Sequence, residues 1–257
     1  MLPVYNTQVY YIEKIVKLKL QYSNFLFYKK NVSIKNALNN YCDIYRKTDL
    51  YSLKNQKFFP KKKIIWNKLV NEISNLLDTK KKAPLSSFIN RAYEILLPRL
   101  LARINKKYGL QEYKNTARFG CFDYNIKDKK IDLHIINNKI PNSPFKKKKF
   151  HRLKDLLNLV KHSIKKNPRH KVIQCGSWMN TFYPFSELFP HSWKATGKFQ
   201  KKNSLAWWGQ FVDSSGGIHV KNSKQFLKNF KFPHPGEYYE CNIYDLKEHI
   251  ISLLKNE

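Results

Sequence analysis

The spacing of apolar residues changes once along this chain, and that change restricts the fold more than any other feature. Up to Gly109 apolar side chains recur every three or four positions. Beyond it they come in short runs rich in β-branched and aromatic residues. In 7–28, Val9, Ile12, Ile15, Val16 and Leu20 follow one helical face. In 33–47, Ser33 is placed to cap a helix carrying Ile34, Ala37, Leu38, Tyr41 and Ile44 on one side. The stretch 62–78 aligns Ile65, Leu69, Ile73, Leu76 and Leu77. Another helix starts after Pro84, near Ser86 or Ser87, and runs through Phe88, Ala92, Ile95 and Leu96; Pro98 is expected to kink or split it. Gly109 has the character of a terminator.

After Gly109, 117–125 and 130–136 read as strands joined by the polar segment 126–129, a hairpin. The stretch 137–145, with Pro141 and Pro144, reads as loop. An amphipathic helix follows over 150–166, with Leu153, Leu156, Leu157, Val160 and Ile164 at helical spacing. The segments 171–175, 193–199 and 205–213 read as strands, 187–189 as a short helix, 214–217 as a turn, and 245–254 as a last helix. This order predicts an α+β protein: a helical region over 1–110, then a mixed sheet with flanking helices over 111–257. The strands after 115 are expected in one sheet, with helix 150–166 against a face.

Hydrophobic residues make up 42% of the 257 residues, enough to build a sizeable core, which excludes a disordered chain. The formal charge of +31 would attract polyanions. However, seven of the 49 basic residues are Arg and the other 42 are Lys. Arg is the residue suited to bidentate recognition of phosphates and bases. Abundant Lys, Asn, Ile, Tyr and Phe also follow from AT-rich codon usage, so the charge has two readings. The basic stretch 139–171 carries Asp155 as its one acid and is the strongest polyanion candidate; a solvated helix in a Lys-rich chain explains it equally.

Cys42, Cys121, Cys175 and Cys241 lie far apart, with no zinc-type spacing, so reduced, mostly buried thiols and no metal are expected. The N-terminus has no secretory signal pattern, and no window is long and apolar enough to span a bilayer. A cytoplasmic protein is the expectation.

The densest unusual block is Cys175-Gly176-Ser177-Trp178-Met179, then Leu188-Phe189-Pro190-His191-Ser192-Trp193, then Ala206-Trp207-Trp208-Gly209-Gln210-Phe211. Gly, Ser and Trp at a strand end offer close backbone approach, a hydroxyl and a flat apolar wall, the parts of a pocket around Ser177, Trp178, Ser192, Trp208 and Gln210. The alternative is that the Trp side chains fill a core and Gly176 serves a turn. His134 and Asp132 sit two apart on one strand and share a face, which suits a base with its orienter or a polar solvent-facing pair. Tyr183 and Glu187 follow the strand end and could exchange protons or be plain surface residues.

The series Ile131-Asp132-Leu133-His134-Ile135, a helix, Cys175-Gly176-Ser177-Trp178, then Leu188-Phe189-Pro190-His191-Ser192 and a strand ending at Phe199 resembles the C-terminal half of bacterial acyltransferase-like proteins of the GNAT superfamily. The same block resembles bacterial proteins with Gly-Ser-Trp, Leu-Phe-Pro and Trp-Gly-Gln-Phe motifs. The resemblance spans roughly 116–215 and does not extend to the helical front. It implies a sheet whose central strands splay to admit an acyl-CoA, and direct attack of an amine or hydroxyl on the thioester. His134 would then be base or substrate contact, and Ser177 and Ser192 would line the cleft; beside the resemblance, His134, Ser177 and Tyr183 are the candidate catalytic residues. The superfamily's Gly-rich pyrophosphate loop corresponds to 137–149, which has no Gly; Lys146, Lys147, Lys148 and Lys149 would bind phosphate as point charges. Two functions therefore stand: acyl transfer from a CoA or carrier thioester, or non-catalytic binding of nucleic acid or another polyanion through 139–171.

Overall fold

A computed structural model describes residues 2–42, 44–52, 57–58, 60–77, 84–108, 118–137, 142–145, 149–198 and 205–256. In chain order the elements are α1 (Leu2–Lys30), α2 (Ile34–Asn36) continued by a π-helical turn (Ala37–Tyr41), β1 (Tyr51–Ser52), β2 (Lys57–Phe58), α3 (Pro60–Asn75) and α4 (Leu85–Tyr108). There follow β3 (Phe122–Lys127), β4 (Lys130–Ile135), α5 (Lys149–Lys166), β5 (Val172–Ser177), α6 (Tyr183–Ser186), β6 (Lys194–Lys198), α7 (Leu205–Trp208), α8 (Val220–Asn229), β7 (Glu237–Asn242) and α9 (Ile243–Lys255). The class is α+β, with a helical N-terminal region and a five-stranded mixed sheet in the C-terminal half.

The chain forms two compact units: the first break falls near the expected 110, and a later segment rejoins the first unit. The helical unit comprises Met1–Tyr113 and Lys201–Pro233; the sheet unit comprises Lys114–Gln200 and His234–Glu257. The segment between β6 and β7 thus returns to the helical unit. Its 205–213 stretch, expected as a strand, forms α7 and a 3-10 turn over Gly209–Phe211. The reason is its environment. Trp208, Phe211 and Phe226 are buried in the core built by α1, α3 and α4, where an aromatic-rich run gains more from a compact turn than from a ladder.

Within the helical unit, Ile15, Val16, Leu20, Val70, Ile73, Ala92, Leu96 and Leu100 supply the buried faces that their spacing predicts. Ser33 caps α2, its Oγ accepting from the Asn36 amide at 3.2 Å. The helix expected through residue 47 stops earlier. The π turn closes with the Cys42 amide donating to the Ala37 carbonyl at 3.0 Å, and Trp208 Nε1 donates to the Tyr41 carbonyl at 3.0 Å, satisfying one of the acceptors that a helix end leaves open. Pro98 lies inside a continuous α4 rather than splitting it.

The sheet order is β3-β4-β5-β7-β6. β3 and β4 form the expected hairpin, turned by Asp128 and Lys129 with φ of 50° and 59°, the pair of left-handed residues that a two-residue turn requires. β4 and β5 run parallel, as a helical crossover through α5 demands; β7 pairs antiparallel with both β5 and β6. α5 and α9 cover one sheet face. Leu153, Leu156, Leu159 and Val160 of α5 and Ile243, Leu246 and Ile250 of α9 meet Phe122, Ile131, Leu133, Ile173 and Cys175 in one buried cluster. Each such side chain contributes about 1.5–3 kcal/mol when fully buried. β7 had no strong signal: Glu237-Tyr238-Tyr239-Glu240-Cys241-Asn242 alternates only weakly, and its place between β5 and β6 is set by tertiary pairing.

All four cysteines are free and buried. Burial, reinforced by nearby Asp245, pushes the Cys241 thiol up to about 12, and burial with Asp132 beyond it raises Cys175 as well. Both native thiols stay protonated where an unfolded thiol ionises. Stability is therefore fully present below pH 9 and falls as the pH rises past it, by about 1.4 kcal/mol per pH unit for each thiol that remains protonated. Urea denaturation at pH 8, 9 and 10 checks this; a midpoint that holds constant across the series would contradict it.

Candidate functional site

The two parallel strands keep register over a short distance. Ile131 pairs with Ile173 and Asp132 with Gln174; Leu133–Ile135 and Cys175–Ser177 have no ladder partners in each other. On their outer edges β4 pairs with β3 and β5 with β7, the latter as far as Ser177 opposite Glu237. The ladder between β4 and β5 is limited to two residue pairs.

At the C-terminal ends of β4 and β5 the chain turns into α5 from one strand and into the Trp178–Thr181 turn and α6 from the other. A cavity of about 290 Å³ lies there, lined by Phe145, Lys149, Arg152, Tyr183, Pro184, Glu187 and Leu188. α5 places Lys149 and Arg152 in its first turn and has no acidic residue there. That is the reverse of the usual arrangement, since the N-terminal end of a helix carries partial positive charge and favours anions. Lys149 Nζ sits 3.2 Å from Glu187 Oε2. Arg152 is 10% exposed at its side chain, with Nη1 3.1 Å from Asp155 Oδ2 and Nε without a hydrogen-bond partner among the described residues. A buried, incompletely partnered guanidinium at a helix N-terminus is a half-made anion site.

Glycine opens the space that holds this group. Gly120, at φ +62°, packs directly on the Asp155 carboxylate, which in turn holds Arg152. Asn180 ties the strand end down: its Nδ2 donates to the Cys175 carbonyl at 2.9 Å and the Glu237 carbonyl at 3.0 Å, locking β5 and β7 together below the cavity.

The residues singled out from the sequence are distributed over several places. Lys149 and Tyr183 meet in the cavity, where Tyr183 is 73% exposed. Asp132 and His134 lie together on the sheet face opposite α5. There Gln174 Nε2 donates to Asp132 Oδ1 at 3.1 Å, His134 Nε2 lies 2.5 Å from Asn125 Oδ1, and Asp132 Oδ2 is 3.9 Å from the same ring nitrogen. The Asp132–His134 pair thus shares a face as expected, but Asn125 rather than Asp132 orients the ring.

Ser177 serves as a cap, its Oγ accepting from the Met179 amide at 3.1 Å. Trp178 stacks loosely with His234, ring centroids 5.5 Å apart, and with Phe182 at 6.3 Å. Ser192 is exposed in the turn before β6 and does not line the cavity. Trp208 and Gln210 are corrections to the expected pocket. They are 2% and 0% exposed in the helical unit, where Gln210 Nε2 donates to the Trp207 carbonyl and Trp208 packs in an aromatic core. The clustering of Trp in the sequence reflects two separate structures, because the chain crosses from one unit to the other at residue 201. Lys146, Lys147 and Lys148 lie outside the described residues.

Arg152, Phe145 and Gln174 were not distinguished from the sequence. Arg152 stands in a run of basic residues, and only its burial separates it from the solvated Lys residues around it. Among the described residues no group of three or more His, Cys, Asp or Glu could hold a metal ion, and no helix is long and apolar enough to cross a membrane. Comparison of the chain with protein-family models, curated proteins and solved structures returns no match.

Proposed function

We propose that the sheet unit binds the phosphorylated tail of an acyl thioester, such as acyl-CoA, at the N-terminus of α5 and transfers the acyl group to an amine or hydroxyl. One observation carries this reading: the acid-free first turn of α5, with buried Arg152, opens on a cavity beyond the C-terminal ends of β4 and β5. The backbone N–H groups of that turn, Lys149 and Arg152 supply donors and charge for phosphate oxygens. Phe145 and Leu188 give the cavity an apolar wall for the chain leading to the thioester. When bound, the thioester supplies an activated carbonyl carbon whose C–S bond breaks as the new C–N or C–O bond forms.

The Tyr183 hydroxyl, exposed at the cavity, is the donor assigned to the departing thiolate. His134 lies on the sheet face opposite α5 and outside the cavity lining, so it is not assigned as the acceptor's base. The Tyr183 assignment rests on its placement at the cavity.

Thermal melting with CoA and acetyl-CoA tests the reading. At a ligand concentration about 100-fold above Kd, mass action adds about 2.7 kcal/mol, which corresponds to a rise of roughly 5–10 °C for a protein of this size. The rise is expected to persist at about 0.3 M salt, where exposed charges are strongly screened, and to be lost in Lys149→Glu. No rise, or one confined to low salt, overturns the proposal.

A further inference from the structure

We propose that the outer face of α5 docks on the phosphate backbone of duplex nucleic acid, without reading bases. This surface is separate from the cavity at the helix N-terminus, and the proposal does not depend on acyl transfer.

α5 exposes His151, Lys154, Asn158, Lys161 and Lys165 at alternating spacings of three and four residues. Those intervals align the five side chains along one side of the helix, a strip about 21 Å long at 1.5 Å rise per residue. Arg169, just beyond the helix end, is exposed and extends it. The helix's one acid, Asp155, is turned toward Arg152 at 3.1 Å, so the strip carries no negative charge. Lys154 lies with its Nζ 4.1 Å from the centroid of the Phe150 ring, and Lys154, Lys161 and Lys165 form no ion pair among the described residues. The other face of α5 is fully committed to the core through Leu153, Leu156, Leu159 and Val160, so the register of the basic strip is held by packing.

The form of the strip selects the partner. α9 packs against α5 and exposes Asp245 and Glu248, so the positive surface is one helix wide. A flat anionic bilayer would press on both helices and meet those carboxylates; a narrow phosphate ridge would not. Single-stranded nucleic acid is held largely by aromatic stacking, and none of the five side chains of the strip is Phe, Tyr or Trp. Lys along the strip, in place of Arg, suits point contacts to phosphate and not bidentate base recognition.

The test is fluorescence anisotropy of the full chain with a short labelled DNA duplex of mixed sequence, titrated from about 50 to 300 mM salt. Lys154→Gln, Lys161→Gln and Lys165→Gln together are compared with Lys221→Gln, Lys224→Gln and Lys228→Gln, which remove equal charge from exposed positions on α8. Each lost phosphate contact lowers the slope of log K against log salt by about 0.9, so the α5 variant is expected to lose about 2.7 in slope and at least about tenfold in affinity at 0.1 M salt. The α8 variant is expected to keep the wild-type slope. Equal losses in both variants would show that diffuse charge is responsible and overturn the proposal, as would an unchanged slope in the α5 variant. Binding of phosphatidylglycerol vesicles with the same dependence on the α5 lysines, or a strong preference between two duplexes of equal length, also overturns it. The two lysines Lys161 and Lys165 changed alone give a smaller, graded loss and guard against a folding defect in the triple variant.

Discussion

Trp208→Ala is expected to destabilise the helical unit by about 3–5 kcal/mol, the cost of truncating a large buried aromatic side chain. Trp208 is 2% exposed and lies edge-on to Tyr22, Phe226 and Phe232, with ring centroids 5.9, 5.7 and 5.2 Å away. Two further contacts end with the indole. The Tyr41 carbonyl loses its donor at 3.0 Å, and the Nζ of fully buried Lys19 loses a ring 4.7 Å away. Trp208→Phe retains most of the volume but not the N–H, and should cost less than half as much. Urea denaturation followed by far-UV circular dichroism measures both. A loss below about 1 kcal/mol in Trp208→Ala would be out of line with a core residue and would restore Trp208 as a ligand-facing side chain. An unchanged acetyl-CoA shift in Trp208→Phe is the matching outcome for a residue that does not line the cavity.

Gly120→Ala should be the most damaging single methyl in the sheet unit. Gly120 has φ +62°, a conformation that costs a residue with a Cβ about 1–2 kcal/mol. The added Cβ would also fall inside the Asp155 carboxylate. Asp155 must move, and Arg152 then stays buried without its ion partner at 3.1 Å. Breaking a buried pair on one side typically costs about 3–5 kcal/mol, so a total of about 3 kcal/mol or more is expected. Gly197→Ala is the control, because a Cβ there meets nothing within 4 Å, and it should stay within about 0.5 kcal/mol of wild type. Denaturant titration of both variants decides the matter. Combining Gly120→Ala with Asp155→Ala should recover part of the steric loss while the acetyl-CoA shift stays lost, since Arg152 is no longer held. A Gly120→Ala protein as stable as Gly197→Ala would mean that the close approach to Asp155 is absent in solution.

Much of the architecture was legible in local residue order because local forces set it. Leu153, Leu156 and Val160 recur at helical spacing, and α5 buries them as that spacing requires. Asp128-Lys129 between two alternating runs dictated the β3–β4 hairpin through turn geometry. Ser33 capped α2 because its hydroxyl has an amide within reach three residues on. In each case the signal and the structure it specifies lie within one element.

What the sequence by itself determined, then, was the α+β class, the helical front and the approximate positions of β3, β4, α5, β5, β6 and α9. Tertiary structure decided the rest. The run Leu205–Trp208 has strand-like composition but is helical because it fills an aromatic core made by residues about 170 positions earlier, such as Tyr41 and Tyr22. β7 exists because β5 and β6 each present an open edge to it. Arg152 is a functional candidate only by virtue of its burial beside Gly120, Asp155 and the α5 N-terminus, and no spacing rule marks a single Arg among so many cations. Propensity and periodicity are summed over neighbours in the chain, whereas burial, unpaired donors and strand order arise from neighbours in space.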